Sequence, residues 1–260
     1  MDANIQSFTD PNYVPPEYQV PYDILELPSQ GILYKNKKKN IKVEFLTAMD
    51  ENILSSPNIS MNGSLLDILL ERKVKEIDFD TLDLLVGDRL AILIYLRVTG
   101  FGEKYPQSVY DEKTEKMVEG IIDLSKLEQI KLTVTPDKNG LFDYELPGDK
   151  YKLKFKLLTG RDERVIEERN KVMQERANTD MSFIPTLRLE QAIQSIDGNT
   201  DRIKISNTIN HLKIMDVRSF NKYISEIEPG ISFKTTARIQ GGGSVACFLR
   251  FTASFFWPDI

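Results

Sequence analysis

Apolar and charged residues alternate along Ile41-Lys-Val-Glu-Phe45 and, at greater length, along Lys150-Tyr-Lys-Leu-Lys-Phe-Lys-Leu157. Successive side chains of a strand point to opposite faces, so both stretches predict half-buried strands. In the second, Tyr151, Leu153, Phe155 and Leu157 share one face and four lysines the other. Each strand runs into a helix start: Leu46-Thr47 with Asp50, and Leu158-Thr159 with Asp162-Glu163. A threonine followed three residues later by a carboxylate lets hydroxyl and carboxylate each take a free backbone N–H. A helix through residues 52–54 and a longer polar helix to about Arg176 follow.

The matching continues downstream. Asp80 to Arg97 reads as one helix stopping at Thr99-Gly100, and Asp216 caps another through Phe220, Tyr223, Ile224 and Ile227, closed by Glu228-Pro-Gly230. A β segment follows each: Ser108 to Leu124 around the charged turn 111–115, and Ile231 to Phe256 around Gly241-Gly-Gly243. The expected fold is therefore α+β, built from two related strand-helix-helix-hairpin halves by internal duplication, with an extended N-terminal arm. The expected boundaries are a Pro-rich acidic arm at 1–26, a first half at 27–127, a connecting strand or linker at 128–145 and a second half at 146–260. Matched positions drift in separation, so insertions are required. Coincidence of common α+β grammar is the competing explanation.

The composition narrows the chemistry. Of 260 residues, 41% are hydrophobic and 28% charged, ordinary for a globular chain. The single cysteine, Cys247, and single histidine, His211, exclude an internal disulfide and a Cys/His zinc site. The longest apolar run, Leu90 to Leu96, falls far short of the ~20 residues that span a bilayer. The N-terminus lacks a basic stretch followed by an apolar one, so synthesis in the cytoplasm without membrane passage is expected.

Charge is unevenly spread. Residues 1–34 hold Asp2, Asp10, Glu17, Asp23 and Glu26 and no Lys or Arg, so the net charge of −5 falls there and the remainder is neutral. The same stretch holds Pro11, Pro15, Pro16, Pro21 and Pro28, which favour extended backbone. Phe8, Tyr13, Tyr18, Tyr22 and Ile24 are spread along it, unlike aromatic-poor disordered segments. Wrapping of its own body and docking on a neighbouring chain both suit such anchors.

Candidate catalytic groups are few. His211 lies in a predicted helix, where packing or surface exposure explains it better than catalysis, and Cys247 sits in an apolar run as an inert thiol. Asp78, Asp80 and Asp83 lack the glycine and distal glutamate of a calcium loop and suit a helix N-terminus instead. Gly241-Gly-Gly-Ser244 lacks the Lys-Ser/Thr of a phosphate loop and reads as a hairpin turn. The lysines between 35 and 39 form one solvated turn in an acidic chain, not a spread phosphate-binding surface. The C-terminus gathers Phe248, Phe251, Phe255, Phe256 and Trp257. Such a cluster packs either between the two halves or into a neighbouring subunit.

Taken in order, several signposts resemble the baseplate hub and hub-assembly proteins of T-even-type contractile-tailed bacteriophages. They are Leu27-Pro-Ser-x-Gly31 with Tyr34; Leu46-Thr47 with Asp50-Glu51; Gly87-Asp-Arg89 with Leu96-Arg97 and Gly100; Asp123-Leu-Ser-Lys126; Leu157-Leu-Thr-Gly160 with Asp162-Glu163; and Phe255-Phe-Trp-Pro258. Paired cysteines in the region after the Gly100 helix, fitting zinc, belong to that resemblance, yet Tyr105 to Met117 contains none. The resemblance implies a structural, non-enzymatic virion protein of the tail baseplate, made in the host cytoplasm, that binds other hub proteins and copies of itself. No cofactor, metal, nucleic acid, membrane or small molecule is expected. The expected partner contacts are Phe8, Tyr13, Tyr18, Tyr22, Phe255, Phe256 and Trp257. The alternatives are a transient assembly chaperone absent from the virion, a host-directed binding protein, and an enzyme using an unlocated carboxylate site.

Overall fold

The computed structural model describes residues 20–54, 64–250 and 255. Within them the fold is mixed α+β with antiparallel sheets. The chain opens with β1 (Tyr22–Glu26), β2 (Asn40–Glu44), α1 (Ala48–Leu54), α2 (Ser64–Lys73) and β3 (Val74–Lys75). It continues through α3 (Val86–Phe101), the hairpin β4 (Lys104–Asp111) and β5 (Lys116–Asp123), and the short β6 (Gln129–Ile130). Next come β7 (Phe142–Glu145), β8 (Lys152–Phe155), α4 (Gly160–Ala177), α5 (Ile184–Ala192) and β9 (Ile193–Ile196). The last elements are α6 (Arg202–Asn210), α7 (Ile214–Ile227), β10 (Gly230–Ile231), β11 (Lys234–Ile239) and β12 (Ser244–Phe248).

Two three-stranded sheets, β1-β2-β3 and β7-β8-β9, carry the alternating segments. Ile41 and Val43 of β2, and Leu153 and Phe155 of β8, turn their buried faces to the core. The two hairpins join edge to edge in the order β12-β11-β5-β4, with Ala237 opposite Ile122. β6 pairs with β10 in the same sense, first part to last. One continuous apolar core runs from Leu27 to Phe255 through every sheet. A smaller cluster of Leu158, Ile166, Leu187 and Ala192 lies between α4 and α5.

Local signals placed α4 accurately. Thr159 and Asp162 close a full capping box, and the helix ends at Asn178 in the left-handed conformation. Elsewhere long-range contacts rewrite the local reading. The helix expected from Asp80 is interrupted: a 3-10 turn at Thr81–Asp83 gives way to extended Leu84 and Leu85 before α3 begins at Val86. The interruption lets Val86 N–H reach the Leu158 carbonyl and Gly160 N–H the Leu84 carbonyl, both at 3.0 Å. Gly100, expected to stop the helix, lies inside it against Leu46, where a Cβ would meet Leu46 Cδ1 at 2.8 Å. Gly102, with φ of 86°, ends α3 instead.

The expected boundaries shift as well. Residues 22–26, assigned to the arm, are a strand of the first sheet, because Leu25 pairs with Ile41 over the core. Residues 128–145, expected as a connecting strand or linker, hold the strands β6 and β7, of which β7 belongs to the second sheet.

Among the described glycines the closest approach is at Gly87, where a Cβ would fall 1.7 Å from the Pro229 carbonyl oxygen. No side-chain rearrangement relieves a clash with backbone. Gly87→Ala is expected to destabilise the protein by about 3 kcal/mol or more, measured by chemical denaturation.

Candidate functional site

α3 begins among buried residues, and the groups around its first turn define a polar joint. Asp88 is fully buried there. Its carboxylate accepts from the Ser29 N–H at 2.9 Å, from the Ser29 hydroxyl and from the Tyr34 hydroxyl. Tyr34 in turn accepts from the Leu85 N–H at 2.8 Å, satisfying a backbone donor that opens the helix. Burial pushes the Asp88 carboxyl above the ordinary carboxylate range despite these three donors. Burial, then the neighbouring Asp88, pushes the Tyr34 phenol up.

A similar arrangement occurs at α7. Asp216 is expected from sequence to cap its own helix. Instead it sits inside the first turn, fully buried, and accepts from the Gly148 and Asp149 N–H groups at 2.6 and 3.0 Å. The backbone it holds follows Leu146-Pro147, as the Ser29 that Asp88 holds follows Leu27-Pro28.

A second kind of joint forms at the starts of α1 and α4. Asp50 accepts from the Thr47 N–H at 2.8 Å and meets Arg72 and Lys73 from the end of α2. Asp162 accepts from Thr159 at 3.0 Å, from Lys156 at 2.7 Å and from Gln191 near the end of α5 at 2.6 Å. Burial works to raise both carboxyls, but Lys73, Thr47 and Arg72 for Asp50, and Lys156, Gln191 and Thr159 for Asp162, outweigh it and hold both below the ordinary range.

Arginines stitch the seam between the parts. Arg161 of α4 reaches Asp80 at 2.9 Å and Asp83 at 2.8 Å, and Arg164 reaches Asp67 of α2 at 2.7 Å. Arg89 also pairs with Asp67. Asp80 additionally accepts from the Leu82 N–H, the capping role expected for it, and Asp78 accepts from Asn36. At the other end of α3, the buried Arg97 donates to the carbonyls of Phe255 at 2.6 Å and Gly102 at 2.9 Å.

Beside the seam lies a groove of about 350 Å³ with an apolar floor that includes Leu66, Leu90 and Leu93. Asp67, Glu163 and Glu167 stand on its rim. Asp67 is clamped by two arginines and Glu163 by Arg188 at 2.8 Å. Partial burial, then the nearby Glu163 and Asp67, pushes the Glu167 carboxyl upward. Two of these three carboxylates are therefore held by cations.

The residues expected to contact partners have different fates. Phe8, Tyr13, Tyr18, Phe251, Phe256 and Trp257 lie outside the described residues. Tyr22 is half exposed on β1, with the Lys42 ammonium 3.8 Å above its ring. Phe255 is not accessible: it is 1% exposed, with its ring edge-on to Tyr105 at 5.2 Å. The core between α3 and β4 takes that side chain, which removes it as a partner anchor. Sequence reasoning overlooked the outer face of the hairpin sheet, where Tyr110, Met117, Ile121 and Phe248 are all exposed. The registers Tyr110↔Met117 and Pro106↔Ile121 put the first three on one face, legible once hairpin pairing is known. His211 sits at the end of α6 with Nδ1 2.7 Å from the Asn207 carbonyl oxygen. Cys247 is half-buried on β12, where burial pushes the thiol up.

No described helix is long and apolar enough to cross a membrane, and the described residues contain no group of three or more His, Cys, Asp or Glu arranged for a metal. Comparison of the chain with protein-family models, curated proteins and solved structures finds no match.

Asp88→Ala leaves three donors without their acceptor and is expected to cost about 3 kcal/mol or more, read from denaturant melts. Asp162 has a lowered folded value, so its stabilisation is present above the ordinary carboxyl pKa and is lost as pH falls through the folded value. Asp162→Asn is therefore expected to flatten the acid limb of stability against pH. Asp88, with a raised folded value, acts in the opposite sense: its contribution is largest at low pH and declines as pH rises through that value.

Proposed function

We propose that this chain is a structural component of a contractile phage tail baseplate hub and acts by protein–protein binding during tail assembly. We further propose that its body arose by internal duplication. The observation that carries the functional reading is where the resembling residues sit. Ser29, Tyr34 and Asp88, Thr47 and Asp50, Thr159 and Asp162, and Arg97 with Phe255 are spent holding loops, helix starts and chain ends together. Motifs of that kind serve architecture rather than turnover. The chain meanwhile exposes apolar side chains on the hairpin sheet and on β1, as a binding protein does.

The duplication reading draws on paired geometry. Two antiparallel sheets share the order first, second, third strand. In each half a buried aspartate in the first turn of the later helix holds the backbone after a Leu-Pro pair. The hairpins depart from two-fold symmetry, since the second strand of one pairs with the first strand of the other. Superposition of 22–127 on 142–248 tests this, and helices that fail to overlay when the sheets do would sink it.

Mass spectrometry of purified virions is the direct test of the functional reading. The chain is expected among baseplate components; its absence from particles that require it for tail formation would move it to the transient chaperone class. A second test deletes residues 1–19, a cut that keeps β1 and every core residue named above in the chain. The shortened chain is expected to fold with an unchanged melting temperature and to lose capture of tail proteins. Full retention of that capture would remove the arm from the interface.

A further inference from the structure

Among the described residues, the first sheet ends in an unpaired edge. β1 is its outermost strand, in register with β2 from Tyr22↔Glu44 to Glu26↔Asn40. Just beyond its ends the Phe45 N–H donates to the Pro21 carbonyl at 3.0 Å and the Leu27 N–H to the Lys39 carbonyl at 2.9 Å. Hydrogen-bonded and non-bonded pairs alternate along an antiparallel ladder. Residues 21 and 27 bond across to β2, so residues 23 and 25 do as well. The N–H and C=O groups of Tyr22, Ile24 and Glu26 point the other way, to the free edge. On the same three residues, Tyr22 is 49% and Ile24 59% exposed.

We propose that this edge pairs with β1 of a second copy of the chain, antiparallel and centred on Ile24, joining two three-stranded sheets across a two-fold axis. Such pairing must match outward-pointing residues of both strands, which are the even-numbered ones. Among those registers, the one setting Tyr22 against Glu26, Ile24 against its mate and Glu26 against Tyr22 engages all three N–H and all three C=O groups of each strand. A slip by two residues in either direction leaves a third of them unused. The same register puts Asp23 opposite Leu25, so no two carboxylates face each other directly.

Charge does not oppose the contact. Glu26 is met by Gln30 at 2.7 Å, Lys39 at 3.4 Å and Lys131 at 3.8 Å, while Asp23 accepts from the Tyr95 hydroxyl at 2.7 Å. The edge also lacks two common guards against strand addition, since residues 22–26 contain neither a proline nor a bulge. Pro21 and Pro28 limit its length instead. An interface in which one patch meets itself closes at two copies and uses up the β1 edge of both. The surface covered by so short a strand is well below the roughly 1,200–2,000 Å² of stable complexes. Exchange between monomer and dimer is therefore expected at micromolar concentrations. The pairing goes beyond the hub reading and holds whatever the chain assembles with.

Sedimentation velocity of the purified full-length chain, from low micromolar to submillimolar concentration, tests it without any tail protein. A concentration-dependent monomer–dimer equilibrium is expected. Ile24→Pro removes one outward N–H and leaves the ladder to β2 untouched. It is expected to abolish the dimer while keeping the melting temperature and circular dichroism of the parent. Leu25→Pro, which removes an N–H facing β2, is expected to lower the melting temperature. In the parent, amide exchange at Ile24 and Glu26 should slow as concentration rises, a readout independent of any variant. A chain that stays monomeric throughout, a dimer undiminished by Ile24→Pro, or exchange at both amides independent of concentration overturns the proposal.

Discussion

The buried carboxylate of Asp88 is the constraint on which the rest of the structure depends. A charge-bearing group with no exposure at the start of a helix must be surrounded by donors, or its burial is unaffordable. Ser29 and Tyr34 supply those donors from the loop between β1 and β2. That requirement sets where the first sheet lies against α3, and Tyr34 extends it to the Leu85 backbone. The position of Leu85 in turn fixes the bridge to Thr159 and the meeting of α3 with α4. Gly87, one residue before the aspartate, completes the arrangement by admitting the Pro229 carbonyl where a side chain cannot fit.

From that centre the two parts of the chain are locked by contacts of different kinds. Backbone pairing of β5 with β11 and of β6 with β10 gives orientation. The Arg161 and Arg164 ion pairs lie on the flank, where partial solvation makes each worth little alone, whereas Arg89 is buried beside Asp67. The continuous apolar core supplies most of the stabilisation. The first and last parts of the chain share sheets and one core, so they fold as a single body rather than as independent domains.

The consequence for function is a division between interior and surface. Inside, charged groups are consumed: Asp50, Asp162, Asp216 and Arg97 each hold backbone or a cation in place. Outside, the hairpin sheet and the edge of β1 keep apolar side chains or backbone donors and acceptors facing solvent. Under the proposed hub reading, these sheet faces and edges are the surfaces offered to other chains.

The local elements were largely legible in the sequence. Period-2 alternation marks β2 and β8, the Thr159/Asp162 spacing marks α4, and charged or glycine turns mark both hairpins. Each signal is carried by residues within a few positions of one another, so the chain states it without reference to its fold. What depends on distant partners was not legible. Asp216 reads equally well as a cap for its own helix, Gly100 as a stop, and Asp80 to Arg97 as one helix, because local rules permit all three. Only the folded chain brings Gly148, Leu46 and Leu158 to those positions, and it also commits Phe255 to the core. The sequence by itself determined periodicity, turns and the acidic Pro-rich segment. Tertiary structure decided which polar groups are spent internally and which edges are left open, since burial and pairing depend on residues far apart in the chain.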